Sequence, residues 1–334
     1  MLKSSTQQII HSIIDSISAF PDYTELSIGI YENELMDYVG LLKENNVIKQ
    51  IDNKNTSFET GSITKVFTAN ILVQLFMESG VEFDDLISKY LSFSIKGNPS
   101  ITLKHLASHT SGLPRLPENF FSYPEYVSDN PYLNYDEKRL ITYLTKELEL
   151  ISQPGKEFLY SNLGMGVLSY VLSKTENKPF SQLVEDRIFN KLDMSNSTFD
   201  SNELNTRTAK AINNEGGHVG YWDGGILNGC VGIISTAEDM MRFAKNVLDT
   251  SNKVSDLQMR EMATVRPGVM MCMGWAKGID NDGASVYWHN GGTAGSAASL
   301  AVNREKCSAV IILSNIDPEK YMKQVEPFVL KLLK

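Results

Sequence analysis

Cysteine is scarce in this chain: its 334 residues include three, Cys230, Cys272 and Cys307. They are widely spaced, form no CxxC pair and suggest no metal set. They read as buried free thiols, and a small odd number fits a reducing compartment. Long apolar runs are also missing. Within Met1 to Phe20, residues Ile9, Ile10, Ile13, Ile14, Ile17 and Phe20 form a helical stripe rather than the uninterrupted core of a signal peptide. No stretch has the length and apolarity of a membrane span. The expected location is cytoplasmic, though the sequence is silent on any leader removed earlier. Positive charge is in deficit too. Against 40 Asp+Glu stand 31 Lys+Arg, a net charge of −9 with no basic run, so a nucleic-acid partner is not expected.

Several signatures of other enzyme classes are absent. His105 and His109 stand four apart, but Leu106 occupies the place of the glutamate in HExxH, and no third ligand suggests itself. Neither a G-x-x-x-x-G-K-[ST] loop nor a G-x-S-x-G elbow occurs. No metal and no cofactor are expected.

What is present is ordinary globular material, 42% hydrophobic and 21% charged. Residues 5–20 read as an amphipathic helix, Leu26–Ile30 and Leu35–Leu42 as strands joined by a turn at Tyr31–Asn33, and Asn53–Ser57 as loop. A helix starts at Ser62 and ends near Gly80. Residues 81–200 are mostly helical (103–108, 136–148, 163–174, 179–191), apart from an irregular aromatic-rich excursion at 115–135. Strand character returns after 200, in Met270–Lys277, Ser285–His289, Ala297–Val302 and Ala309–Ser314, and residues 318–333 close the chain as a helix. Short turns such as Asn303-Arg304-Glu305 make the sheet antiparallel. The expected fold is mixed α/β (α+β): an antiparallel sheet flanked by N- and C-terminal helices, with an inserted, mostly helical subdomain. Within a single domain, 1–80 and 201–334 would form the α/β part and 81–200 the helical part.

Three motifs carry chemistry. Ser62-Ile63-Thr64-Lys65 places a hydroxyl and an amine on one helix face, where the amine can take the proton of a nucleophilic serine. Taken alone, the commoner meaning is a serine helix cap with a solvated lysine. A first-turn lysine opposes the helix dipole, which favours a special role. Tyr160-Ser161-Asn162 offers a phenol that a nearby cation helps to ionise, and an amide that both donates and accepts. Its bland meaning is a loop tyrosine with Asn162 capping the next helix. His289-Asn290-Gly291-Gly292 ends a strand, and its glycines let a ligand or another backbone approach closely. Alone it is a Gly-rich hairpin turn.

Together these motifs resemble the serine β-lactamase and penicillin-binding-protein superfamily, in the class C β-lactamase-like branch that also holds esterases and D-amino-acid peptidases. The resemblance covers roughly 25–334 and includes Leu103–Pro114 and Gly232–Met240 in the family's order. It implies that Ser62 is acylated, that Lys65 assists its deprotonation, and that Tyr160 is general base and acid. It further implies that Asn162 helps hold Lys65 and the substrate, and that the N–H groups of Ser62 and Gly292 form the oxyanion hole. The third motif departs from the pattern. It begins with His289 where true β-lactamases usually have lysine, and a mostly neutral histidine is a weaker carboxylate anchor. Efficient β-lactam hydrolysis is therefore in doubt, but acyl-enzyme chemistry is not.

The segment Gly216–Gly225 is either a flexible surface loop or a cleft rim with Tyr221 and Trp222 as apolar walls. Phe120, Phe121, Tyr123, Tyr126 and Tyr132 would form the opposite rim or simply anchor their loop. The expected function is a serine hydrolase acting on a small-molecule ester, amide or peptide-like acyl compound. Alternatives are an acyltransferase or thioesterase using the same acyl-enzyme, and a penicillin-binding or sensor module with little turnover. The substrate, the acceptor and the oligomeric state are not given by the sequence.

Overall fold

The computed structural model describes residues 3–333 apart from Asn205 and Asn214. Strands β1 (Glu25–Glu32), β2 (Leu35–Glu44) and β3 (Val47–Ile51) form a meander. The short β4 (Phe58–Glu59) pairs with β5 (Ile234–Ser235) apart from the main sheet. After these come β6 (Ala263–Arg266), β7 (Val269–Met271), β8 (Ala276–Ile279), β9 (Ser285–Gly292), β10 (Ala297–Asn303) and β11 (Ser308–Ser314). The main sheet has nine strands in the order β3-β2-β1-β11-β10-β9-β8-β7-β6, and its pairings are antiparallel.

Strand alternation gives the sheet two buried faces. Leu26, Ile28, Ile30, Val310 and Ile312 pack on Ile10, Ile13 and Ile17 of the helix Ser4–Ile17 and on Tyr321, Val325 and Val329 near the C-terminus. Tyr31, Ala309, Ile311 and Leu313 face the opposite core, which holds Met240, Met241 and Phe243. With apolar partners on both sides, β10 and β11 read as continuous apolar runs. The expected terminal helices and antiparallel sheet are present. Within 81–200 the described residues add helices but no strand to the main sheet.

Several elements differ from expectation. Val47–Ile51 is a third strand of the first meander, and the β1–β2 turn falls at Asn33-Glu34, both with positive φ. Met270–Lys277 is not one strand. The chain doubles back between β7 and β8, where the Cys272 N–H donates to Trp275 O at 2.7 Å. The helix Ala237–Leu248 is not among the expected elements, although Thr236 caps it by accepting from the Asp239 N–H and Glu238 and Asp239 fill its first turn. Helices expected at 136–148 and 179–191 are α-helical only over Glu137–Thr142 and Phe180–Val184, then widen into π turns. The closing helix breaks at Glu326–Phe328, since Pro327 has no N–H to continue the ladder. Cys230 and Cys272 are buried as expected, but Cys307 is exposed on the β10–β11 turn. No helix among the described residues is long and apolar enough to cross a membrane.

Candidate active site

The helix Thr64–Glu78 is buried without interruption from Thr64 to Leu75, so it runs through the core rather than along its surface. Ser62 precedes it, in a 3-10 turn over Gly61–Ile63, and caps no backbone group. Lys65 is fully buried, and its Nζ lies 2.9 Å from Ser62 Oγ. The i, i+3 spacing therefore does bring amine and hydroxyl together, though the regular helix begins two residues later than expected. The second partner of Lys65 is the Cys230 carbonyl at 2.7 Å. Thr68 steadies that segment by donating to Gly229 O at 2.6 Å.

Close backbone contact fixes the next part of the site. Gly61 has φ +53°, and a Cβ there would lie 2.5 Å from Gly292 N. A Cβ on Gly291 would lie 1.9 Å from Thr60 O and 2.9 Å from Ser62 N. Only glycine permits the end of β9 to pack this tightly on the Thr60–Ser62 backbone. The Thr293 N–H donates to Ser296 O. Antiparallel ladders alternate, so the Gly292 N–H points away from β10, toward the Ser62 turn.

Tyr160 is partly buried, with its ring 5.0 Å from Lys65 Nζ and 5.3 Å from the Arg115 guanidinium, both at cation–π distance. The His109 ring packs on it at 4.4 Å. The Leu103–Pro114 stretch clamps this second motif. His109 Nδ1 accepts the Ser161 N–H at 3.2 Å, Pro114 O accepts the Ser161 hydroxyl, and Arg115 O accepts the Asn162 N–H. Burial, aided by nearby Lys65, holds His109 well below the usual histidine range. Neutral, and accepting at Nδ1, it carries its proton on Nε2, which has no partner among the described residues. It packs on Tyr160 and anchors the Ser161 backbone. No cluster of three metal-ligating side chains occurs among the described residues.

Asn162 does not hold Lys65. Its Nδ2 donates to the Tyr132 hydroxyl at 2.9 Å, its buried Oδ1 is unpartnered, and Ser161 rather than Asn162 caps the following helix. The Cys230 carbonyl takes the place beside Lys65. A main-chain carbonyl has no residue signature, so the sequence carried no signal for it. His289 is buried and its Nδ1 donates to Asn290 O at 2.7 Å. Burial, reinforced by Lys65, pushes it down to about 3. It is neutral at physiological pH and presents an Nε2 lone pair.

Two cavities flank Ser62 and share Arg115 and Gly292. The larger, about 550 Å³, includes Tyr160, His289, Asn290, Thr293, Trp288 and Met322 in its lining. The smaller, about 250 Å³, is walled by Phe120, Phe121, Tyr126, Tyr132, Asn162 and Trp222. Trp222 thus lines a cleft, but Tyr221 does not. The Tyr221 hydroxyl donates to Ser57 O and Ala209 O, bracing the loop against the body of the fold. Tyr123 also points elsewhere, its hydroxyl donating to Pro131 O. Among the described residues lining either cavity, Arg115 alone carries a formal charge.

Comparison with known proteins adds a family. Residues 49–334 match the family model described as Beta-lactamase. Beta-lactamase-like protein 4 of Dictyostelium discoideum is 28% identical over 256 residues, covering 69% of this chain and 42% of that protein. D-alanyl-D-alanine-carboxypeptidase/endopeptidase AmpH of Escherichia coli (strain K12) is 29% identical over 211 residues, covering 62% of this chain and 52% of its own length. The chain thus spans about half the length of these curated relatives. Among solved structures, the octameric penicillin-binding protein homologue from Pyrococcus abyssi superposes with a TM-score of 0.79 at 20% identity, covering 97% of this chain and 77% of that one. The D-stereospecific amidohydrolase from Streptomyces sp. gives 0.78 at 21%, covering 97% and 98%. With a family model matched over most of its length and a fold shared with these structures, the chain belongs to the beta-lactamase family.

Proposed function

We propose that the chain is a serine hydrolase that forms an acyl-enzyme on Ser62 and cleaves an ester, amide or peptide-like bond. The observation that carries this reading is the 2.9 Å contact of buried Lys65 Nζ with Ser62 Oγ, beside the close-packed Gly291-Gly292 backbone. Ser62 Oγ attacks the substrate carbonyl, and its proton passes to the Lys65–Tyr160 pair. The N–H groups of Ser62 and Gly292 receive the developing oxyanion. Tyr160, which lines the larger cavity, returns the proton to the leaving group there, and water then releases the acyl group.

The cavities also bear on substrate class. Aromatic walls suit an apolar acyl group, and Arg115 favours a carboxylate near the scissile bond. Two similar proteins are named a D-alanyl-D-alanine-carboxypeptidase/endopeptidase and a D-stereospecific amidohydrolase, which makes D-amino-acid amides and peptides the first compounds to try. The test is incubation with a fluorophosphonate or an activated ester, followed by intact mass. One adduct per chain, absent in Ser62→Ala, is expected. No adduct on the native protein, or an undiminished adduct in the variant, overturns the reading.

A further inference from the structure

Beneath Ser62, at the end of β4, lies a carboxyl group that has no part in the chemistry above. Glu59 is 2% exposed. Its Oε1 accepts the Trp222 N–H at 2.7 Å, and its Oε2 accepts the Thr293 hydroxyl at 2.7 Å. Trp222 walls the smaller cavity and Thr293 the larger. One buried side chain, three residues before the nucleophile, therefore ties together both walls of the cleft. The next residue is Thr60, whose carbonyl closely approaches Gly291.

We propose that Glu59 is a positioning residue whose ionised carboxylate clamps the Trp222 segment and the Thr293 turn on either side of Ser62, and so sets the fit of substrate in both cavities. This rests on the hydrolase reading above. An ionised carboxylate accepts from both donors at once, and such charge-assisted bonds are roughly twice as strong as neutral ones. A protonated carboxyl can still accept from the Trp222 N–H at one oxygen and donate to the Thr293 hydroxyl from the other, but both bonds lose their charge assistance, so the grip on both walls weakens.

The surroundings make that change accessible near neutral pH. No ion pair reaches Glu59 among the described residues, and burial pushes its carboxyl up to about 7 despite the opposing pull of the Trp222 N–H and the Thr293 and Ser296 hydroxyls. From the loop, Tyr221 faces it, kept neutral because burial raises its phenol far above the usual range; the Glu25–Arg207 ion pair lies beyond. From the 293–296 turn come the neutral hydroxyls of Thr293 and Ser296. From β5 comes apolar Ile234.

The experiment is the pH profile of kcat/KM on a neutral p-nitrophenyl ester for the full chain, with fluorophosphonate labelling of Ser62 run in parallel. For the native protein an acid limb is expected near pH 7, activity falling below it. Glu59→Gln keeps the shape, accepts from Trp222 and donates to Thr293, but cannot ionise, so the limb is expected to vanish. Thr293→Val removes one donor to the carboxylate, which disfavours ionisation, and the limb is expected to move to higher pH. Glu59→Ala is expected to raise KM and lower kcat/KM roughly ten- to a hundredfold at every pH while Ser62 still labels. A merely structural glutamate would lower activity in these variants without moving the limb. If Ser62 labels in all variants but the limb is unchanged in both Glu59→Gln and Thr293→Val, the clamp is wrong. If native Ser62 does not label, it is the hydrolase reading that has failed.

Discussion

The two sides of Ser62 are built on different principles. The larger cavity is bounded by the end of a strand, and its working groups include main-chain N–H groups placed by glycine contacts too close for any side chain. The smaller is walled by aromatic side chains from the 115–135 excursion and the Trp222 segment. On the proposed reading, one side sets where charge develops and the other what fits. The first tolerates no change of backbone shape, whereas the second can be redrawn by loop substitutions with the chemistry left in place.

The largest effect should come from disturbing the backbone side. Gly291→Ala would put a Cβ 1.9 Å from Thr60 O, so β9 must shift away from the Ser62 turn. Displacements of that kind cost about a hundredfold in rate. The expected result is slowed acylation of every ester alike, read by stopped-flow labelling. A selective loss for bulky esters would erase the distinction between the two sides. Next comes the residue common to both. Arg115→Gln should lower kcat/KM by roughly tenfold for substrates bearing a carboxylate near the scissile bond, as expected for the loss of a hydrogen bond to a charged group. Neutral esters should be little affected. On the aromatic side, Trp222→Ala should raise KM severalfold for aryl-acyl esters and hardly at all for acetyl esters, since only the former use the lost apolar wall.

The smallest effect concerns stability. An unfolded histidine takes a proton near 6.5, whereas folded His289 resists until about 3, so the unfolded state binds more protons in between. Stability contributed by neutral His289 is therefore lost as pH falls from 6.5 toward 3. Glu59, raised to about 7, acts in the opposite sense, favouring the folded state below about 4.5 and losing that advantage as pH rises through 7. In urea denaturation, His289→Gln should remove about 1 kcal/mol of the fall between pH 6.5 and 5.5. An identical fall in both proteins would mean that His289 titrates normally and that the site's histidine is not held neutral.

Much of this site is legible in the sequence because its parts are local. Ser62 and Lys65 are one helical turn apart, and Gly291-Gly292 marks a strand end that another backbone can approach. Illegible are the groups whose meaning is set by distant partners. Glu59 looks like any surface glutamate until β5, Trp222 and Thr293 close around it. Tyr221 and Trp222 are neighbours with opposite orientations, which composition cannot separate. In the fold, β10 and β11 stand out as apolar runs. The helix Ala237–Leu248 carries its start signals in Thr236, Glu238 and Asp239, but lies in a region where only strand character is expected.

The uninterrupted burial of the helix behind Ser62 has a consequence for how the protein fails. From Thr64 to Leu75 that helix exposes almost no surface to solvent. Its amide protons should exchange only when the core opens as a whole, with a protection free energy equal to that of global unfolding. Loops around the cleft could then open and close without loosening Ser62. Loss of Ser62 labelling on heating should coincide with loss of the entire fold, which would make Ser62 an internal gauge of the whole molecule's integrity.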